Sequence, residues 1–320
     1  MRLMQPDPAA ALVGLRAMKM VANASGAIGP SQRALMEAAR RVILRIDADI
    51  DALPPISPAE LAAGFPSPEL RHQFVNGMLV AALADGVPAP ETVAKVEEFA
   101  EALGISTPEV TDLRRLTEGH MLVFKLDFLR RSQVGEIMRN QLDQHGVLGL
   151  AKGVLGLRGL MEDTALAARY RAWEDLPEDT LGHTLLRFYR HNGFSLPGER
   201  GGFPEAGLYH DFSHVLGGYD TDPEGEVQVA SFSAGYKRTR AFYVVLFAVM
   251  IFSAGVNVRP TAGNVTIGVL GKPGMADRMF AAMERGNKVS VDLSDKWDYW
   301  PYAGLPIDEA RQRLNVVAVG

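Results

Sequence analysis

Sixteen consecutive residues, Ala241-Phe-Tyr-Val-Val-Leu-Phe-Ala-Val-Met-Ile-Phe-Ser-Ala-Gly-Val256, carry no charge and follow the basic Lys237-Arg-Thr-Arg240. A bilayer-spanning helix needs about 20 apolar residues, so this run is short for one. A helix apolar on every side has no face to give to water, and the rest of the chain has to surround it. The surrounding sequence is suited to that task. Leu12, Leu15, Met18 and Val21 fall on one helical stripe, and Leu70, Phe74, Met78 and Ala82 on another. The same periodicity, with its proline and glycine punctuation, predicts helices over 9–23, 31–44, 58–64, 68–84, 90–103 and 108–131. It continues over 162–174, 178–192, 205–217, 223–236, 240–255, 274–287 and 306–315. Only Val256–Leu270 has strand-like pieces, such as Val265-Thr-Ile-Gly-Val-Leu270, and they have no evident partner, so the expected fold is all-α.

At 320 residues, 47% of them hydrophobic, the chain can fill two cores of roughly 150 residues each. Gly149-Leu-Ala-Lys-Gly-Val-Leu-Gly-Leu-Arg-Gly159 reads as a hinge, with a lid or a segment resting on a bilayer surface as alternatives, and the hinge divides the chain into helical domains 1–148 and 149–320. This segment lacks the Gly-Lys-Ser/Thr ending of a phosphate-binding loop. A net charge of −5 gives no general attraction to nucleic acid. The absence of cysteine excludes disulfides, thiolate metal sites and iron–sulfur clusters, and is compatible with a reducing cytoplasm. The first residues place an acid and two prolines before an apolar run broken by Arg16 and Lys19, which does not read as a secretory signal. The apolar helix is also compatible with a homodimer.

Chemistry concentrates in Leu208-Tyr-His-Asp-Phe-Ser-His-Val-Leu-Gly-Gly218. His210 and His214 are four apart and project from one helical face, within reach of a single ion. Asp211 is either a further ligand or a group that orients an imidazole. Gly217-Gly218 should end the helix, and Asp222-Pro223 should cap and open the next one. Glu226 then lies in the first turn of the returning helix, where its carboxylate can fold back toward the two histidines. Such a nitrogen and oxygen set suits a divalent ion, zinc first, with manganese, iron and magnesium as alternatives. A zinc peptidase requires His-Glu-x-x-His, and Asp211 stands where its glutamate would be. No Gly-x-Ser-x-Gly elbow supports a serine hydrolase.

His210, Asp211 and His214, followed after eleven residues by Glu226, resemble the signature of the Coq-four family of ubiquinone (coenzyme Q) biosynthesis proteins. Leu176-Pro-Glu-Asp-Thr-Leu-Gly182 and Phe188-Tyr-Arg-His-Asn-Gly193 look like the family's upstream helix. Ala282-Met-Glu-Arg-Gly286, Trp297, Leu305-Pro-Ile-Asp-Glu-Ala-Arg311 and Leu314 resemble its C-terminal segment. The resemblance covers about residues 150–320. It implies a metal-dependent decarboxylase (a lyase) that removes the ring carboxylate, in some accounts oxidatively, from a polyprenylated hydroxybenzoate. It implies as an alternative a non-catalytic, lipid-binding scaffold that organises the other ubiquinone-biosynthesis proteins at the membrane. Either role implies a polyprenylated quinone precursor or other isoprenoid lipid as ligand, and a peripheral position on the inner membrane surface. Leu216, Phe232, Leu246 and Met250 are the expected wall for the isoprenoid tail, or else ordinary core residues.

The N-terminal half contains an internal repeat. Ala24, Ser25, Gly26 and Pro30 align with Ala84, Asp85, Gly86 and Pro90 at an offset of sixty, each set between two amphipathic helices. Residues 8–130 resemble the TerB-like (tellurite-resistance) helical domain, whose acidic turns are linked to metal binding. Asp85 and Glu91 keep the acids, whereas Ser25, Ala27 and Gln32 do not, which favours helix capping over a metal site. His183 is expected in the first turn of its helix, facing solvent or capping it rather than approaching the site; Arg130 and Arg131 are expected at a helix C-terminus, and Trp297 and Trp300 as fasteners of the C-terminal segment rather than membrane-interface residues.

Overall fold

The computed structural model describes residues 3–140, 142, 143, 146, 162–259 and 263–319. The expected hinge 149–159 lies outside the described residues. In chain order the helices are α1 (Pro8–Ala22), α2 (Pro30–Ala38), α3 (Pro58–Gly64), α4 (Pro68–Leu83), α5 (Pro90–Ala102), α6 (Pro108–Thr117), α7 (Met121–Arg131) and α8 (133–140). They continue as α9 (Thr164–Arg171), α10 (Leu181–Asn192), α11 (Tyr209–Gly217), α12 (Pro223–Tyr236), α13 (Ala241–Phe252), α14 (Met275–Gly286), α15 (Trp300–Ala303) and α16 (Ile307–Leu314). Among the described residues there is no strand, only the isolated bridges Thr180–Pro306 and Ala254–Ile267, so the fold is all-α. Among them, too, no helix is long and apolar enough to cross a membrane.

Proline opens α1 to α6 and α12, where its missing N–H costs nothing. Side chains of Asp7, Ser57, Ser67, Thr180 and Asp222 accept first-turn N–H groups as N-caps. The single helix expected over 108–131 is two helices, because Gly119 takes a φ of 78° between α6 and α7. The helix expected over 31–44 is also modified: beyond α2 it widens into a π-helical turn, Ala39–Leu44, that ends on left-handed Arg45.

The repeat is visible in the backbone. Gly26 and Gly86 adopt φ values of 132° and 134°, and each precedes a helix begun by proline. The acid of the second turn serves the first: Asp85 Oδ1 and Oδ2 accept the N–H groups of Ser31 and Gln32, each at 2.9 Å. A Cβ on Gly29 would stand 2.2 Å from Asp85 Oδ2, so only glycine lets the carboxylate in. Ser25, the counterpart of Asp85, lies 3.2 Å from the Thr92 hydroxyl in the first turn of α5. Asp85 is thus a cap supplied from another helix hairpin.

The chain forms two compact units, and they do not follow a cut at 148/149. One comprises Arg2–Arg130 with Phe242–Glu284; the other comprises Arg131–Ala241 with Arg285–Gly320. Ring contacts join α13 to the N-terminal helices. Phe128 lies 5.8 Å from Phe124, 5.7 Å from Tyr243 and 6.3 Å from Phe247. The uncharged run is indeed buried, with Leu246 and Met250 in the interior of this unit. Downstream of α13, the turn Val269–Gly271 packs against α2, and a Cβ on Gly271 would meet Ser31 Oγ at 2.8 Å.

In the other unit, aromatic rings tie the C-terminal segment to α9 to α11. Trp300 lies 4.9 Å from Trp173, and Trp297 5.5 Å from Phe212, consistent with a fastening role for both indoles. Leu181 N–H donates to Leu305 O and Ile307 N–H to Asp179 O, so the two flanking sequence stretches pair in space. In the unit that contains α13, Arg130 pairs with Asp127 at the end of α7, as a cation at a helix C-terminus can.

Candidate metal centre

The site is assembled from α11 and the first turn of α12, both in the unit Arg131–Ala241/Arg285–Gly320. α11 stops where expected: Gly218 is left-handed, with φ 77°, and its N–H returns to His214 O at 2.8 Å. The following loop is tied to α10 by Thr221 Oγ1, which donates to Asn192 Oδ1 at 2.8 Å. Asp222 then caps α12 through Gly225 N–H at 2.7 Å, and Pro223 begins the helix. A Cβ on Gly225 would lie 2.0 Å from Asp220 O, so only glycine lets the loop pass this close. That close passage puts Glu226 opposite the histidines.

His210 Nε2 and His214 Nε2 are 3.2 Å apart. Glu226 spans the pair, with Oε2 at 3.5 Å from His210 Nε2 and Oε1 at 3.5 Å from His214 Nε2. Two donors bound at 2.0–2.1 Å to one tetrahedral ion stand about 3.3 Å apart, close to these separations. Among the described residues, these three form the group able to hold a metal ion. The His214 side chain is 1% exposed and that of His210 is 35% exposed, so the trio is open on the His210 side.

The His214 ring is fixed by its other nitrogen. Nδ1 lies 3.1 Å from Tyr219 O, which can only accept, so Nδ1 carries the proton and Nε2 keeps its lone pair for an ion. Phe188 stacks on the same ring at 5.5 Å. Burial lowers the His210 imidazole pKa, but the hydrogen bond and charge of Glu226 outweigh it and raise the pKa. Burial would likewise raise the Glu226 carboxyl, yet the two imidazoles hold it well below the usual carboxylate range.

Asp211 is not in this trio. Its carboxylate accepts the hydroxyl of Tyr189 from α10, and it is not among the ligand atoms that the two histidines and Glu226 bring together. Burial pushes the Asp211 pKa up, while His210 and the Tyr189 bond oppose that shift. Leu216 and Phe232 are fully buried in the same unit, with Phe232 5.6 Å from both Tyr219 and Tyr236. Leu246 and Met250 are core residues of the other unit. His183 also lies outside the trio, its Nδ1 3.1 Å from Leu176 O.

Several positioning groups escape a reading of the motif alone. Arg311 donates to Val215 O at 3.2 Å and Leu216 O at 3.0 Å, satisfying the last carbonyls of α11. Arg285 donates to the Tyr219 hydroxyl at 2.9 Å, and Val319 N–H to Gly217 O at 2.8 Å. Arg311 lies within the C-terminal stretch that flanks the motif in the family resemblance, which was the available signal; Tyr219 and Gly225 carried none beyond their nearness to the histidines. No family model matches the chain, and no curated protein matches it.

Proposed function

We propose that the chain is a metal-dependent enzyme of ubiquinone biosynthesis that decarboxylates a polyprenylated hydroxybenzoate. The single observation that carries the metal half of this proposal is the convergence of His210, His214 and Glu226 at 3.2–3.5 Å. The sequence resemblance carries the substrate half. His210, His214 and Glu226 would be the ligands, with His214 held in the correct tautomer by Tyr219 O. The bound ion would supply a Lewis acid for the charge that develops on the ring as carbon dioxide leaves. Exposure on the His210 side leaves a direction from which a ring carboxylate or phenolate can approach. Asp211, bonded to Tyr189, would add negative charge beside His210 without ligating. A polyprenyl tail near Leu216 and Phe232 requires those buried side chains to part.

Elemental analysis of the purified chain, together with complementation of a decarboxylation-deficient quinone pathway, tests the proposal. His210→Ala and Glu226→Ala should lose both bound metal and quinone production while helical content is kept. Unaltered metal content in both variants would refute the ligand assignment. Restored quinone without metal would instead favour the membrane scaffold.

A further inference from the structure

A concavity of about 290 Å3 lies in the same compact unit as the metal-site residues, and none of the three lines it. Tyr209, Trp297, Tyr299 and Trp300 make its walls aromatic. On the lining, the Arg169 guanidinium stacks 4.1 Å from the ring centroid of Trp300. Arg171, two residues along α9, is paired with Glu199, whereas among the described residues Arg169 has only the Trp300 stack and a charge interaction with Tyr299. Two acids line the cavity: Glu205 Oε1 accepts the Tyr170 hydroxyl at 2.6 Å and the Tyr299 hydroxyl at 3.2 Å, and Asp298 Oδ1 accepts the Trp300 main-chain N–H at 3.2 Å. The second cation on the lining, Lys296, faces an acid of its own, with Nζ 4.0 Å from Asp143 Oδ2.

These features define the complement. Flat aromatic walls select a planar ring, and a volume of about 290 Å3 holds one ring with small substituents rather than a nucleotide. A guanidinium held by stacking presents a preorganised fork that suits a carboxylate. The negative charges of Glu205 and Asp298 repel a second anion, so the acid group of a ligand would lie at Arg169 and the ring against Trp297 and Tyr299. We propose that this cavity binds a small aromatic carboxylate, with Arg169, held by Trp300, as its anion partner and Trp297 and Tyr299 as its stacking walls. The site is independent of the metal and of the reaction proposed above.

Calorimetric titration of the full chain with sodium benzoate, in excess EDTA and at fixed ionic strength, tests this. Saturable binding is expected, and Arg169→Ala should weaken it by roughly tenfold or more, the scale of a lost hydrogen-bonded charge pair. Arg169→Lys, which keeps the charge without the fork, should fall between the two. Because Arg169 is exposed, circular dichroism should be unchanged in both variants. His210→Ala should bind benzoate like the wild type, which separates failure of the metal proposal from failure of this one. Cyclohexanecarboxylate and inorganic phosphate serve as probes lacking the flat ring and the whole ring, and both should bind several-fold more weakly. Absence of saturable benzoate binding, wild-type affinity in Arg169→Ala, loss of binding in His210→Ala, or equal affinity for either control probe would each overturn the assignment.

Discussion

Replacing Gly225 with alanine perturbs the candidate metal centre without touching a ligand. The added Cβ would fall 2.0 Å from the Asp220 carbonyl oxygen and 2.6 Å from its carbon. Both atoms are main chain, so no rotamer change relieves the overlap. Moving the contact from 2.0 Å to at least 3.0 Å requires the loop and the first turn of α12 to separate by about 1 Å. Glu226 is the next residue, whereas His210 and His214 belong to α11, so the separation falls on the ligand set itself. Metal sites tolerate displacements of only about 0.2 Å. Affinity should therefore drop by roughly 10–100-fold, comparable with losing a group that orients a ligand. The overpacking should also cost about 1–3 kcal/mol of stability. Competition against a chromophoric chelator reads the zinc affinity, and the visible spectrum of a cobalt-substituted sample reads the coordination geometry. Wild-type affinity in Gly225→Ala, with an unchanged cobalt spectrum, would refute the claim that close passage of this loop positions Glu226.

Three further outcomes follow from the same geometry. Metal at about 100 times its dissociation constant should add roughly 2.7 kcal/mol of stability, so EDTA should lower the thermal midpoint; an unmoved midpoint would count against a bound ion. Tyr189→Phe leaves the buried Asp211 carboxylate without its hydroxyl donor and should cost about 1–3 kcal/mol. Metal stoichiometry should be kept, and its loss would bring Asp211 back into the ligand set. Asp85→Ala removes the partner of two backbone N–H groups at the start of α2, for about 1–3 kcal/mol. Chemical denaturation should detect that cost while zinc binding stays unchanged; equal stability would show that the cap is not needed.

The elements legible in the sequence were those whose ends are written locally. Asp222-Pro223 and Gly217-Gly218 mark the start of α12 and the stop of α11 because a cap and a left-handed glycine each act within one turn. Once those two ends are known, the meeting of Glu226 with His210 and His214 needs little more than a short loop. Asp211 shows where such reasoning stops. Beside His210 it reads equally as a ligand or as a group that orients an imidazole, and the partner it has, the Tyr189 hydroxyl, comes from another helix 22 positions upstream. Asp85 is similar: its neighbours announce a turn, but its partners, Ser31 and Gln32, come from the other copy of the repeat. The affiliation of α13 was not legible either. An apolar helix must be covered, yet nothing in its own residues tells Phe128 from any other ring as the cover. Gly119 was the local signal passed over, a glycine inside an otherwise helical pattern that here takes a positive φ.

The pairing of segments far apart in sequence gives the motif its rigidity. A nine-residue helix such as α11 would be marginal alone, yet a metal site requires its two histidines to keep one orientation. Its C-terminal end is held three ways: Gly218 closes it, Arg311 binds the carbonyls of Val215 and Leu216, and Val319 N–H binds Gly217 O. Arg311 is placed in turn by α16, whose entry is fixed where Leu305 O and Ile307 N–H pair with Leu181 and Asp179. At the other end, the 3-10 turn Glu205–Gly207 leads into α11 while Glu205 holds the hydroxyls of Tyr170 and Tyr299. The stretches 176–182 and 305–311 therefore belong to the site as mechanical supports although neither supplies a ligand. A change that frees Arg311 should loosen the histidine pair before it unfolds the unit, because it releases the last carbonyls of the helix that carries them.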